Sequence, residues 1–357
     1  MSALGQRERI TLGVALVATI LSGLLTFAGA GSVLRFAVSA VALAALAALV
    51  GQATEQLGEQ LGPGATGVLQ SALGNLPELF VGIFALRQGL ISVVQAALIG
   101  SILGNSLLVL GLAFLVGGLR HGTQRFASGP PRMIAVLTVL AVSALSVPTL
   151  VYQLHTPANQ HADALSIACA VMLLVVFIAS IPYSLSAGSA TVVPPEHDKG
   201  APKEVWPFWL AAVMLGVAGV GAAFVSDWFV QALGPAIDAL HLSQAFTGLV
   251  VVAIAGNAVE NVVGIQLAAA NKPDYALSVI LNSSLQVALG LTPILVLLSF
   301  VLGGAHLTLV LPPLLVAAVG LAAALGALTV YDGESTWLEG LVLIGLYAMI
   351  ATSFWWG

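Results

Sequence analysis

Long apolar stretches, each almost free of charge, constrain this chain more than any other feature of its sequence. Because a bilayer core is about 30 Å thick and an α-helix rises about 1.5 Å per residue, about 20 apolar residues can span it. Only 7% of the residues are charged and 59% are hydrophobic, whereas soluble domains carry about 25% charged residues. We therefore predict an all-α integral membrane protein with about 11 transmembrane helices. The eleven stretches cover approximately residues 10–29, 33–60, 65–86, 91–118, 132–152, 163–185, 206–232, 243–270, 274–302, 307–329 and 335–356.

The basic residues predict the orientation, because Lys and Arg are retained on the cytoplasmic side. With the N-terminus inside, the cytoplasmic segments hold eight basic residues and the external ones hold only Arg35 and Arg87. We expect a cytoplasmic N-terminus, an external C-terminus and a bacterial inner (plasma) membrane. The Pro-containing polar segment 186–205 is predicted to be a cytoplasmic linker. The net charge of -5 comes with no basic block, so no nucleic-acid partner is predicted and the lipid bilayer is the expected surroundings.

An internal repeat divides the chain. The segment Gly74-Asn75-Leu76-Pro77-Glu78 recurs as Gly256-Asn257-Ala258-Val259-Glu260, an offset of 260 − 78 = 182 residues, and Ser101 falls on Ser283 at that offset. Each unit would hold five helices, and an odd number forces the second copy to enter the membrane from the opposite side. Inverted repeats of this kind are typical of secondary transporters. The predicted organisation is an N-terminal segment with the first helix (1–32), a first five-helix repeat (33–185), the linker (186–205) and a second five-helix repeat (206–357).

Two glutamates are the candidate ion-binding residues. Glu78 is the only charged residue in the middle of the third stretch, and Glu260 holds the same place in the eighth. A carboxylate at the bilayer centre costs at least about 2.5–3.5 kcal/mol, so it normally faces an ion, a partner or a water-filled cavity. A protonated, hydrogen-bonded structural glutamate is the alternative. Asn75 and Asn257 lie three residues before these glutamates, so we expect each pair to share a helix face. Such oxygen ligands suit Ca²⁺ better than Mg²⁺.

Further polar residues are candidates for supporting or pathway roles. Ser101 and Asn105 lie four apart on the fourth stretch, and Ser283 and Gln286 lie three apart on the ninth. They could bind an ion or serve only as hydrogen-bonding contacts between helices. Three acids near the ends of spans are predicted to lie at the mouths of a pathway, with an ordinary interfacial charge as the alternative: Glu55, Glu59 and Asp227.

Enzymatic signatures are missing from the sequence. The six histidines lie in loops or near span ends without an HExxH spacing, and neither a GxSxG element nor a P-loop is present. Gly100, Gly104 and Gly111 lie in a spanning stretch, where they favour close helix packing over phosphate binding. We predict a protein that is not an enzyme and carries no cofactor. A cation channel and an intramembrane hydrolase are alternatives, and the inverted repeats argue against both.

The two repeated segments, residues 74–118 and 256–297, resemble the α-repeats of the Ca²⁺/cation antiporter superfamily, and most closely those of the CAX Ca²⁺/H⁺ exchangers. The resemblance implies export of Ca²⁺ in exchange for H⁺ by alternating access, with Glu78 and Glu260 binding either ion, and it is compatible with a homo-oligomer. An Na⁺/Ca²⁺ or broader cation/H⁺ exchanger is the alternative within transport. One departure is Asn261, where CAX proteins commonly carry histidine. The resemblance implies six polar positions around the site: Asn75, Asn257, Ser101, Asn105, Ser283 and Gln286.

Overall fold

The computed structural model describes residues 5–61, 69, 73–186, 206–303 and 306–356, and it is almost entirely helical. Within these residues seven helices are long and apolar enough to cross a membrane, or eight if one bent pair forms a single span. The all-α membrane class is therefore confirmed, while the count of eleven spans and the inverted repeats stay predictions. The predicted linker lies outside the described residues except for Ser186.

In chain order the elements are α1 (Gln6–Phe27), α2 (Ser32–Leu61), α3 (Leu76–Arg87), α4 (Ile91–Leu103), α5 (Leu110–His121), β1 (Gln124–Arg125), α6 (Gly129–Gln153), α7 (Ala162–Ser186), α8 (Phe208–Leu240), α9 (Gln244–Phe246), α10 (Ala253–Gly256), α11 (Ala258–Ala269), α12 (Pro273–Gln286), α13 (Thr292–Leu302), α14 (Pro313–Thr329), β2 (Glu334–Ser335) and α15 (Trp337–Ser353).

Contacts divide the chain into two compact units: Met1–Ala85 with Val192–Leu242, and Leu86–Thr191 with Ser243–Gly357. In the first unit α2 packs along α8, and α1 packs on α2. The hydroxyl groups of Ser22 and Ser39 are 2.7 Å apart between α1 and α2, and the Phe36 ring stacks on Phe229 at 4.9 Å. Small polar contacts and ring packing of this kind hold helices together where lipid removes the hydrophobic driving force.

Trp206 anchors the chain just before α8. Its side chain is buried, its backbone N–H donates to Gln56 Oε1 at 2.9 Å and its indole N–H donates to Glu8 Oε2 at 3.1 Å. Gln60 donates to its carbonyl oxygen at 2.6 Å. A buried Trp normally needs such a partner for its N–H, so this residue ties together the start of α1, the end of α2 and the approach to α8.

π-helical turns interrupt three helices of the second unit, at Gly104–Val109, Thr247–Val252 and Val287–Leu291. Such turns are rare and occur often at functional sites. α4 packs unusually closely on the second of them, because a Cβ added at Gly100 would overlap the backbone of Leu249. Close helix packing is therefore confirmed for Gly100 and for Gly111, whose added Cβ would meet the backbone of Gly340. It was wrong for Gly104, where an added Cβ would meet nothing within 4 Å.

The eighth predicted stretch is not one continuous helix. α10 ends at Gly256, Asn257 has φ −94° and ψ 18°, and α11 begins at Ala258. The two parts, Gln244–Gly256 and Glu260–Ala269, are bent by 65°. The Asn257 side chain also donates to the carbonyl of Ala253 at 3.0 Å; a side chain that bonds the backbone in this way competes with helical hydrogen bonding. The expectation of a continuous helix face through this motif was therefore wrong.

The tenth predicted stretch begins too early, since residues 307–312 are not helical and α14 starts at Pro313. Successive prolines at 312 and 313 explain this, because a residue before proline is biased towards extended backbone. Non-helical backbone at membrane depth must find its hydrogen bonds inside the protein. Gln95 of α4 donates to the carbonyls of Thr308 and Val310. Three backbone N–H groups of this segment donate to hydroxyl oxygens on three helices: Leu307 to Ser299, Leu309 to Ser166 and Leu311 to Thr149.

Candidate ion-binding site

Asn257 is the centre of a buried polar cluster in the second unit. Its amide N–H₂ group donates to Ser101 Oγ at 2.9 Å, and its Oδ1 atom accepts from Ser283 Oγ at 3.3 Å. The break between α10 and α11 places this side chain beside α4 and α12. All three residues are at least nine-tenths buried, so the cluster brings together predicted residues from both halves of the sequence.

Asn105 extends the cluster along the first π-helical turn. Its Nδ2 atom donates to Ser283 Oγ at 2.9 Å, which leaves the Ser283 O–H free to donate to Asn257. The Asn105 Oδ1 atom is buried and accepts no hydrogen bond from the described residues. A buried amide oxygen without a donor costs free energy, and it is a ready ligand for a cation.

Ser106 and Ser284 form a second hydroxyl pair that sequence reasoning missed. Their Oγ atoms are 3.2 Å apart and both side chains are buried. Each serine directly follows a predicted site residue, Asn105 or Ser283. This adjacency is the only signal in the sequence. In a regular helix, neighbouring residues do not face the same side, so Asn105 and Ser106 would not both be expected to face α12. The π-helical turn at Gly104–Val109 changes the spacing of residues around the helix.

Glu260 lies in the first turn of α11. A negative charge there is favoured by the helix dipole by about 0.3–1 kcal/mol. Its Oε2 atom is buried and has no hydrogen-bond partner among the described residues, and the same holds for Oδ1 of the adjacent Asn261. Two oxygen acceptors without donors therefore lie next to each other in sequence at the start of this short helix.

Asn75 and Glu78 belong to the first unit. Asn75 lies in a turn, α3 begins at Leu76, and Glu78 is in its first turn. Pro77 is therefore at the second position of the helix, where a missing N–H costs nothing. The backbone N–H of Leu79 donates to the Asn75 carbonyl at 3.0 Å. Both glutamates thus lie in the first turn of a helix that begins directly after the motif asparagine.

The remaining predicted residues lie on helices of their own units. Gln286 ends α12, just before the third π-helical turn. Glu55 and Glu59 lie in α2, where the Glu59 side chain is outside the described part of the structure. Asp227 lies in α8 and accepts a hydrogen bond from Gln231 at 2.7 Å. No contact of these residues tests a role in ion passage, so their predicted roles stay proposals.

Comparison with known proteins places the chain in a family. Residues 31–185 and 210–356 match the family described as sodium/calcium exchanger protein. The chain belongs to this exchanger family. It is 35% identical over 342 residues to the Ca(2+)/H(+) antiporter of Synechocystis sp., covering 91% of this chain and 92% of that one. It is 34% identical to the Ca(2+)/H(+) antiporter of Aphanothece halophytica, covering 89% of each.

A solved structure of native YfkE has the same fold. It superposes with a TM-score of 0.82 at 29% identity and covers 97% of this chain and 99% of that one. Together with the two antiporters, it confirms the resemblance to the Ca²⁺/cation antiporters that the repeated motifs indicate. The relatives are transporters, so the exchanger family and the membrane fold agree.

The buried cluster in this exchanger supplies oxygen atoms of the type that hard cations prefer as ligands. Ca²⁺ takes six to eight oxygen ligands from carboxylates, amides, hydroxyls, backbone carbonyls and water. The second unit offers the Glu260 carboxylate and the buried amide oxygen of Asn105, with the hydroxyls of Ser101 and Ser283 nearby in the same network. In discontinuous membrane helices the C-terminal carbonyls of the first half also coordinate cations, and α10 ends immediately before Asn257.

Proposed function

We propose that this exchanger is a secondary active antiporter that exports Ca²⁺ in exchange for H⁺ by alternating access. The observation that carries the proposal is the buried, hydrogen-bonded cluster of Ser101, Asn105, Asn257 and Ser283. It lies at the break between α10 and α11, and the first turn of α11 carries Glu260. The names of the relatives support the choice of ions. A purely structural cluster would have no need of buried oxygen atoms that lack donors.

Glu260 and Glu78 are the proposed ion-binding and proton-coupling residues. Glu260 follows a helix break next to the cluster, and Glu78 occupies the equivalent place in the first copy of the motif. The supporting ligands are Asn75, Asn257, Ser101, Asn105, Ser283 and Gln286. Glu55, Glu59 and Asp227 are proposed to attract cations at the mouths of the pathway.

Competition for the carboxylates provides the coupling. A carboxylate that binds Ca²⁺ must be ionised, and a protonated one is a poor ligand, so each glutamate binds either Ca²⁺ or H⁺. The empty ionised form carries its charge into an apolar medium at a cost of several kcal/mol. Reorientation is therefore favoured only with Ca²⁺ or with protons bound, which makes the exchange obligatory.

The orientation and surroundings follow from the same proposal. The N-terminus faces the cytosol, the C-terminus faces outward, and the protein resides in the inner membrane of a bacterium. It catalyses no covalent reaction and needs no resident cofactor, since Ca²⁺ is its substrate. Reporter fusions to each terminus would test this orientation.

The decisive experiment is ⁴⁵Ca²⁺ uptake into proteoliposomes driven by a pH gradient in the absence of Na⁺. We expect uptake that disappears when an ionophore collapses the gradient. Glu260→Gln and Glu78→Gln should abolish it while the protein stays folded. Glu334→Gln is the matched control, because this carboxylate lies in β2 and pairs with Arg125 at the exposed surface, where such pairs contribute about 0–1 kcal/mol.

Two outcomes would count against the proposal. Substantial Ca²⁺/H⁺ exchange by Glu260→Gln would remove the central role of that carboxylate. Uptake that requires an Na⁺ gradient would favour an Na⁺/Ca²⁺ or broader cation exchanger, and Asn261 would then mark a change of coupling ion.

A further inference from the structure

The side chain of Gln124 holds the end of the helix that carries Glu260. It is 3% exposed, and its Nε2 atom donates to the carbonyl of Ala268 and to Asn271 Oδ1, both at 3.0 Å. The last carbonyl groups of a helix have no partner within it. The Ala268 carbonyl accepts from the backbone N–H of Asn271 at 3.1 Å and, from outside the helix, from Gln124. Gln124 therefore adds a side-chain hydrogen bond at the C-terminal end of α11.

Gln124 is itself fixed by its neighbours. It lies in β1 and pairs with Ser335 of the antiparallel strand β2. A Cβ added at Gly117 would overlap the Oε1 atom of Gln124. The amide therefore lies in a space that exists only because residue 117 is glycine.

The same segment also binds the start of the helix that carries Ser283. The backbone N–H of Ala127 donates to Asp274 Oδ1 at 2.7 Å, and Asp274 is in the first turn of α12. Residues 124–127 thus contact the end of α11 and the beginning of α12. α11 carries Glu260, and α12 carries Ser283 of the polar cluster.

The break at Asn257 makes this contact important for the geometry of the site. α11 has only 12 residues and is not continued as a regular helix at its N-terminal end. Its direction therefore depends on its packing against α5 and α12 and on the contacts at its C-terminal end, where Gln124 bonds the Ala268 carbonyl and His121 Nε2 lies 3.0 Å from the Ala269 carbonyl oxygen. Glu260 and Ala268 are about 12 Å apart along the axis at about 1.5 Å per residue. A tilt of about 10° about the far end therefore moves Glu260 by about 2 Å, whereas ligand distances in metal sites are held to about 0.2 Å.

We propose that Gln124 is a positioning residue for ion binding, which acts by fixing the direction of α11 and hence the place of Glu260. The proposal rests on the proposed function, because Glu260 is an ion ligand only in that case. Gln124 touches neither the polar cluster nor the ion. Its loss should weaken Ca²⁺ binding while the chemistry of the carboxylate is kept.

The test compares Gln124→Ala with Thr149→Val in the proteoliposome assay. Thr149 is a matched control because it is also buried and its side chain also makes two hydrogen bonds. These bonds go to the backbone of Leu309 and Leu311 and do not involve α11. Both variants should lower the unfolding temperature. Only Gln124→Ala should raise the KM for Ca²⁺, by about three- to tenfold, the equivalent of one hydrogen bond, with a smaller change in maximal rate.

Gly117→Ala provides an independent route to the same perturbation, and it keeps the proposal testable if Gln124→Ala fails to fold. Its added methyl should displace the amide and raise the KM, but it should add nothing in a Gln124→Ala background, where the amide is already absent. A wild-type KM in Gln124→Ala or in Gly117→Ala would overturn the positioning role, as would an equal rise in Thr149→Val. Failure of the wild-type protein to exchange Ca²⁺ for H⁺ would instead overturn the proposed function and this proposal with it.

Discussion

The hydrogen bond between Asn257 and Ser101 allows a quantitative test of the buried cluster. It is 2.9 Å long, and both side chains are buried in the second unit. Asn257→Ala removes this bond together with those to Ala253 and Ser283. Ser101→Ala removes only the acceptor of the first bond. The two single variants and the double variant therefore form a cycle that isolates the Asn257–Ser101 interaction.

Three lost hydrogen bonds set the size of the Asn257→Ala effect. Interhelical hydrogen bonds in membrane proteins average about 0.6 kcal/mol, with a maximum of about 1.7. We expect Asn257→Ala to lower the free energy of unfolding by about 2 kcal/mol on the average value, and the coupling between Asn257 and Ser101 to be about 0.6–1.7 kcal/mol. Because 1.36 kcal/mol is a factor of ten, this coupling corresponds to a departure from additivity of about three- to eighteenfold in the unfolding equilibrium.

The assay is reversible unfolding in mixed detergent micelles, monitored by far-ultraviolet circular dichroism. The control cycle pairs Asn257 with Ser106, whose hydroxyl faces Ser284, and it should be additive within about 0.5 kcal/mol. Equal coupling in both cycles, or none between Asn257 and Ser101, would refute the network as described. Ca²⁺ uptake by the same variants should weaken in Asn257→Ala more than in Ser106→Ala.

Three further predictions concern other parts of the molecule. Trp206→Ala should lower the free energy of unfolding by about 3–5 kcal/mol through lost packing in the first unit, and a loss below about 1 kcal/mol in the same assay would contradict its role as an anchor. Gly100→Val should lower the free energy of unfolding by about 1–3 kcal/mol, because the new side chain meets the backbone of Leu249. Gly104→Ala should not destabilise the protein in this way, because the space around its Cβ position is open. Thermal unfolding of both variants distinguishes them. Asn261→His should make Ca²⁺ uptake fall off at a higher pH than in the wild type, since an imidazole with an ordinary pKa of about 6.5 becomes cationic beside the proposed site; an unchanged pH profile of uptake would show that residue 261 does not influence the ion.

The membrane class and three members of the buried polar cluster were predictable because their signals are local and strong. Charge-free stretches near 20 residues long require a bilayer, and a carboxylate within such a stretch requires a special role. The repeated Gly-Asn-x-x-Glu motif singled out Asn257 in advance, and Ser101 and Ser283 followed from the same offset. The structure brings these three residues into one hydrogen-bonded cluster.

The backbone irregularities were not predictable, because they depend on partners far away in the sequence. Hydrophobicity cannot distinguish a continuous helix from one that breaks at Asn257, where the side chain bonds Ala253 and Ser101. Likewise residues 307–312 are as apolar as a membrane span. Their non-helical backbone is stabilised by hydrogen bonds to hydroxyl groups of other helices. The π-helical turn that aligns Ser106 with Ser284 leaves no mark on composition at all.

Two loops of the second unit, after α5 and after α13, occupy equivalent positions in the predicted repeat and make different hydrogen bonds. In the first loop, after α5, the backbone of Ala127 bonds Asp274 near the start of α12. Leu309 lies 182 residues further along the chain, in the loop after α13. That second loop is bonded by Gln95, near the start of α4. In each case the segment after one central helix is held by a side chain near the beginning of the other. The bonds run in opposite directions, because the Asp274 carboxylate accepts from a backbone N–H while the Gln95 amide donates to backbone carbonyls. Residue identities do not match between these two loops, so a comparison of the halves by sequence does not reveal the similarity of their contacts.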